Sequence, residues 1–138
     1  ELLLHNLEEI YDDLVARLKP LKREGLRSSQ HRPSQVAFEH AAEHHDLYLV
    51  LLHSQAAATI AQRIREYLAG VIQQDLEAWA TDSPVPLSVI ANYMAGSLVA
   101  LITWWLEHDM PYEPEYMSDI FSRLTLPGVR DLLKAMPE

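Results

Sequence analysis

The chain has 138 residues, 49% of them hydrophobic, with four glycines, no cysteine and a formal net charge of −9. This length supports one folded unit with a real core. The missing cysteines exclude disulfides, thiol catalysis and zinc–thiolate sites, and the acidic balance speaks against a grip on a phosphate backbone. β-branched clusters and period-two alternation are scarce, so the expected class is all-α.

Leu7, Ile10, Tyr11, Leu14 and Leu18 recur on one helical face, with Glu8, Glu9, Asp12 and Asp13 opposite. Pro20 cannot continue that helix, which should end near Lys19. Six of the eleven basic residues fall between Arg17 and Arg32, opposed only by Glu24. Residues 20–32 read as a polar, solvated loop. The amino end is acidic and amphipathic rather than a secretory signal. The chain does not begin with Met, and the helical pattern already running at Glu1 leads us to expect a preceding segment.

Pro33 suits the first turn of a second helix, with Phe38, Ala41, Ala42 and His45 on its inner face. Asp46 is the expected cap of a short third helix, Leu47 to about His53. A long fourth helix is expected over about Gln55–Ala80, its stripe formed by Ile60, Ile64, Tyr67, Leu68, Val71, Ile72, Leu76 and Trp79. Gly70 within it costs about 1 kcal/mol relative to alanine and is expected to mark a close crossing.

Leu87 to Leu106 is a run of twenty residues without a charge. It would form a helix of roughly 30 Å, apolar all round, which requires cover on every side. Lipid is one candidate. Against it, no Lys or Arg lies nearer than Arg65 and Arg123, and Ser88, Asn92, Ser97 and Thr103 dilute the apolarity. The expected cover is therefore a core plus a partner subunit, with no membrane. On a helical wheel one face carries Tyr93, Ser97, Ala100 and Trp104, assigned to a cavity. A second carries Ala91, Ala95, Leu98, Ile102 and Trp105, assigned to the core. The small, mildly polar third carries Asn92, Gly96, Val99 and Thr103, assigned to a close crossing with a partner helix. Pro114 opens a last long helix with Tyr116, Met117, Ile120, Phe121 and Leu124 on its apolar face. Pro127-Gly128 is expected to stop it, ahead of a short turn carrying Val129, Leu132, Leu133 and Met136.

Histidine is the only plausible carrier of chemistry. His40 and His44 lie four apart, and a metal would need a third ligand from Glu43 or His53. The segment His40–His44 reads HAAEH, which is not HExxH. Helix-end histidines without a metal are the favoured reading, so no metal or other cofactor is expected. No serine stands in a nucleophile elbow, and the paired acids read as a wet helix face. No catalytic residue is assigned. Phe38, Tyr48, Tyr67, Tyr93 and Trp104 fall on inward stripes and allow a pocket among helices.

The segment ANYMAGSLVALITWWLEHDMPYEPEYMSDIFSRL (Ala91–Leu124), with FEHAAEHHDLYLVLL (Phe38–Leu52) before it, resembles the carboxy-terminal domain of TetR/AcrR-family transcriptional regulators. The AG with its aliphatic run, WWLE, the Met-Pro turn and the Pro-Glu helix opening come in that family's order. The resemblance implies one effector-binding and dimerisation domain over residues 1–138, built from about six helices. Residues 1–19 would be the helix leading from a DNA-binding domain that this sequence lacks. It implies a cytoplasmic homodimer, joined through a four-helix bundle of about Pro86–His108 and Glu113–Leu126 with their mates. A small hydrophobic or amphipathic effector would alter the spacing of the DNA-binding domains, usually in a repressor, and operator DNA would be touched only through the absent domain. On that basis Phe38, Leu52, Tyr67, Tyr93, Ser97 and Trp104 are the expected ligand-binding residues. Asn92, Gly96, Val99, Thr103, Met117, Phe121 and Leu124 are the expected dimer interface. A helical interaction module without a small ligand is the alternative.

Overall fold

A computed structural model describes residues 2–21, 33–78 and 82–133. Lys22, Arg23, Arg27 and Arg32 of the basic stretch, Trp79 of the long stripe and Met136 lie outside the described residues. Among the described residues the fold is six α-helices and one 3-10 turn, with no strand. The helices are α1 (Leu2–Leu18), α2 (Pro33–Glu43), α3 (His45–His53), α4 (Ala58–Glu77), α5 (Leu87–Glu107) and α6 (Pro114–Leu133), with the 3-10 turn Gln55–Ala57 ahead of α4.

Local sequence accounts for most of these boundaries. α1 buries Leu7, Ile10, Leu14 and Leu18, a 3-4 spaced stripe, and ends before Pro20 as the ring requires. α2 begins at Pro33, whose absent N–H costs nothing in a first turn. α3 begins at His45, two residues earlier than a cap at Asp46 would allow. Asp46 instead sits inside the first turn, its carboxylate 2.8 Å from His45 Nδ1. α4 and α5 form the most extensive helix pair. α1 packs on α4 and α2, α2 packs on α6, and α3 lies over α4 and α5. The core therefore runs between α4, α5 and α2, with Phe38, Leu51, Leu76, Leu98, Trp105 and Leu106 almost wholly enclosed.

Two expectations drawn from punctuation residues are corrected. Pro127-Gly128 does not stop the last helix: α6 runs through it to Leu133. Met117, Phe121, Thr125, Val129 and Leu133 are all buried, an unbroken i, i+4 stripe whose burial outweighs the lost hydrogen bond at Pro127. Gly70 is no close crossing: it is exposed, and a Cβ built on it meets nothing within 4 Å.

Between α5 and α6 the chain turns sharply. Asp109 and Met110 both take the left-handed region, at φ 58° and 50°, which is uncommon for residues other than glycine. Met110 N–H closes the turn onto the Trp105 carbonyl at 2.8 Å, and Trp105 Nε1–H donates to the Tyr112 carbonyl at 2.8 Å. One indole thus anchors both the core and the turn.

Asp75 is only 6% exposed on α4. Burial pushes its carboxyl up to about 6, so between about pH 4 and 6 the folded chain holds this proton more tightly than the unfolded chain does. Its contribution to stability is therefore greatest below that window and is lost as pH rises through it. Asp75→Asn should stabilise the fold by about 1–3 kcal/mol at pH 7.5 and give no such gain near pH 4, as read by urea unfolding at the two pH values.

Candidate functional site

A cavity of about 240 Å³ opens between the helices. Every helix from α1 to α5 lines it: Leu14 from α1, Ala37 from α2, Tyr48, Leu51 and Leu52 from α3, Ala61, Ile64 and Leu68 from α4, and Val99 and Ile102 from α5. The polar contributions come from Tyr48, Ser54, Gln62 and Arg65. Gln62 and Arg65 are exposed and hydrogen-bonded to one another, which puts a cation at the rim of a mostly apolar hole. Such a lining, apolar with a few directed polar groups, is how helical proteins hold small molecules, at a size just under the usual ~300 Å³ lower end.

Of the expected ligand residues, Leu52 lines this cavity and the other five do not. Phe38 is fully buried, edge-on to Trp105 at 5.3 Å. Tyr67 is half-buried and edge-on to Tyr11 at 6.3 Å, with the Arg63 guanidinium over the Tyr11 ring. Tyr93 and Trp104 point outward, 65% and 43% exposed. Ser97 returns its hydroxyl to the Tyr93 carbonyl at 2.8 Å. The core face of α5 is set as expected, with Ala91, Ala95, Leu98, Ile102 and Trp105 all buried; the two faces beside it are not. Val99, expected at a partner helix, faces the cavity, while the aromatic face expected there faces out.

The expected interface residues divide. Asn92 is exposed, Leu124 is 72% exposed, and a Cβ at Gly96 meets nothing within 4 Å. Thr103 is half-buried, its hydroxyl donating to the Val99 carbonyl. Met117 and Phe121 lie in the protomer's own core, because the α6 stripe to which they belong faces inward.

A second constellation lies directly behind the cavity. His40 is not at a wet helix end: it is fully buried, with Nδ1 2.6 Å from the Tyr48 hydroxyl. Its Nε2 lies 3.1 Å from Asp13 Oδ2, and His44 Nε2 lies 3.7 Å from the same oxygen. The residues named from sequence as a third ligand are engaged elsewhere. Glu43 takes a two-pronged pair from Arg17 at 3.0 and 2.5 Å, and His53 faces Glu107 at 3.3 Å. The i, i+4 spacing of His40 and His44 was readable. Asp13 was not, because it belongs to a different helix and stands in a run of acids. Burial first, and then His44, lowers the His40 imidazole to about 4, so it is neutral at physiological pH with a lone pair to offer. Burial raises the Tyr48 hydroxyl above its ordinary range, which keeps it protonated. The hydrogen bond from Arg17 lowers Glu43 and raises Arg17 itself.

Residues 34–126 match a family described as the transcriptional regulator C-terminal region, of TetR type. No curated protein and no solved structure matches the chain.

Proposed function

Because the chain belongs to the TetR-type family of transcriptional regulator C-terminal regions, we propose that it is the effector-sensing and dimerising part of a cytoplasmic repressor. Contact with operator DNA falls to a helix-turn-helix unit outside these 138 residues. The observation that carries the sensor reading is the cavity, and within it Leu14. That residue belongs to α1, the helix which in this reading leads toward DNA. A molecule seated against Leu14 binds one tilt of α1 better than another, and only such a difference shifts the equilibrium, commonly by about 1–3 kcal/mol.

The lining also narrows the effector. The walls are apolar, and among the described residues Arg65 is the one charged side chain at the rim. The ligand is therefore a small amphipathic molecule with an acidic or strongly polar end. A thermal-shift screen of such compounds should find stabilisation of about 2.7 kcal/mol at a hundredfold excess over the dissociation constant, roughly 10 °C. Leu52→Trp, which fills the hole, should abolish the shift. A screen in which nothing stabilises the protein, or a shift that survives Leu52→Trp, would rule the cavity out as the sensor and favour a helical interaction module.

Dimerisation is supported by the state of α5. By length and composition it is the one described helix able to cross a membrane, yet the share of its apolar window buried in the protomer is only 33%. Val89, Tyr93 and Trp104 form an exposed line along it at near-helical spacing, and Ala100 lies on the same line. The open space beside Gly96 and the exposed Asn92 adjoin that line. A second copy of this surface is the proposed cover, with Leu124 and Tyr116 of α6, both exposed, extending it. In the twofold arrangement α5 and α6 of each chain meet as a four-helix bundle.

A further inference from the structure

We propose that Asp13, His40 and His44 form a binding site for a single divalent transition-metal ion, of which zinc is the best fit, tying α1 to α2. One ligand atom from each lies within 4.8 Å of the others. In a tetrahedral zinc site with arms of 2.0–2.1 Å, ligand atoms stand about 3.3 Å apart. The observed separations of 3.1 and 3.7 Å about Asp13 Oδ2 bracket that value. Two imidazoles and one carboxylate suit zinc and its first-row neighbours rather than magnesium or calcium.

The second observation is the state of these atoms. Among the described residues, Asp13 Oδ2, His40 Nε2 and His44 Nε2 are the three buried side-chain polar atoms without a hydrogen-bond partner. They are close to one another but misaligned for N–H···O bonds. Buried polar atoms left in this condition are rare, and an ion or water is the usual reason. His40 is completely enclosed, so its Nε2 has no access to bulk solvent. The supporting shell is also present. His40 Nδ1 and the Tyr48 hydroxyl lie 2.6 Å apart; in the tautomer with the proton on Nδ1, the Tyr48 oxygen accepts it and the Nε2 lone pair is free for a metal, the arrangement that orients most metal-bound histidines.

Arg17 is the obvious objection, because its Nε lies 3.0 Å from Asp13 Oδ2. Its guanidinium is matched by Glu43, however. Two carboxylates, Asp13 and Glu43, face the one guanidinium of Arg17, so the fixed charges around the site leave a negative balance that a dication would complement. Three protein ligands leave a fourth position for water. Asp13 and Leu14 are neighbours on α1, and Tyr48 belongs both to this shell and to the cavity wall. That a bound ion would bias the tilt of α1 rests on the sensor function proposed above; the binding of the ion does not.

The test uses the chain freed of metal by a chelator and titrated with zinc in competition with a chromogenic chelator. One zinc per chain is expected, with cobalt giving visible d–d bands at the same stoichiometry. His44→Ala and Asp13→Ala should each weaken zinc by at least the ~10–100-fold that loss of a supporting group costs, and Tyr48→Phe by about 10-fold. His45→Ala, whose ring is tied to Asp46, should bind as the parent does. In the unmodified chain, the nitrogen resonances of His40 and His44 should move on adding zinc while those of His5, His53 and His108 stay, a readout that needs no variant to fold. Amide exchange along α1 should slow as zinc is added. Absence of stoichiometric zinc, or zinc held equally well by the His44 and Asp13 variants, or shifts confined to the surface histidines, would overturn the site whether or not an organic effector is found.

Discussion

Trp105→Ala should cost the fold about 3–5 kcal/mol, enough to bring a domain of ordinary stability, about 5–15 kcal/mol, close to unfolding. The indole is 1% exposed and packs edge-on against Phe38 at 5.3 Å. Truncation leaves a cavity at the meeting point of α2 and α5. It also strips the Tyr112 carbonyl of its donor, and with it the brace on a turn that holds two non-glycine residues in the left-handed region. Trp105→Phe separates the two effects: it keeps most of the packing and should lose about 1 kcal/mol for the hydrogen bond. Denaturant unfolding of both variants gives the comparison, and a tolerated alanine would mean that α2 and α5 are held together elsewhere.

The second large effect is expected from the outside of the same helix. Trp104→Glu, alone or with Tyr93→Glu, should raise the dimer dissociation constant at least ~30-fold, the ~2 kcal/mol of a central contact residue. Its helical spectrum should stay intact, because both side chains are largely exposed in the protomer. Sedimentation equilibrium distinguishes this from misfolding. A chain that remains dimeric with both charges in place would remove α5 from the interface.

Adjacent tryptophans with opposite duties show what the sequence could and could not reveal. Helix existence was legible throughout: the stripe of Leu7, Ile10, Leu14 and Leu18, the start at Pro33 and the uncharged run of α5 all appear as read. The core stripe of α5 from Ala91 to Trp105 also appears as read, but the two faces beside it do not. An uncharged helix carries no strong marker of which flank meets a cavity and which meets solvent, so Tyr93 and Val99 change places. Only packing against α3 and α4 decides between them. Pro127-Gly128 misled for the opposite reason, since a local breaking signal is weaker than four turns of continuous burial. The histidine pair was visible as spacing, yet its worth depended on Asp13, and no local pattern joins an acid on one helix to histidines on another. The family match covers residues 34–126, so this meeting of α1 with α2 lies partly outside it.

One short helix has a consequence for how the parts move together. Near its first turn α2 is fastened to α6 by the enclosed hydroxyl pair Ser34 and Ser118, 2.6 Å apart. Near its last turn it is fastened to α1 through Glu43 with Arg17 and through His40 beside Asp13. Eleven residues of helix make a stiff strut of about 16 Å. A strut pinned at both ends transmits rather than absorbs displacement, so α1 cannot swing without levering on α6.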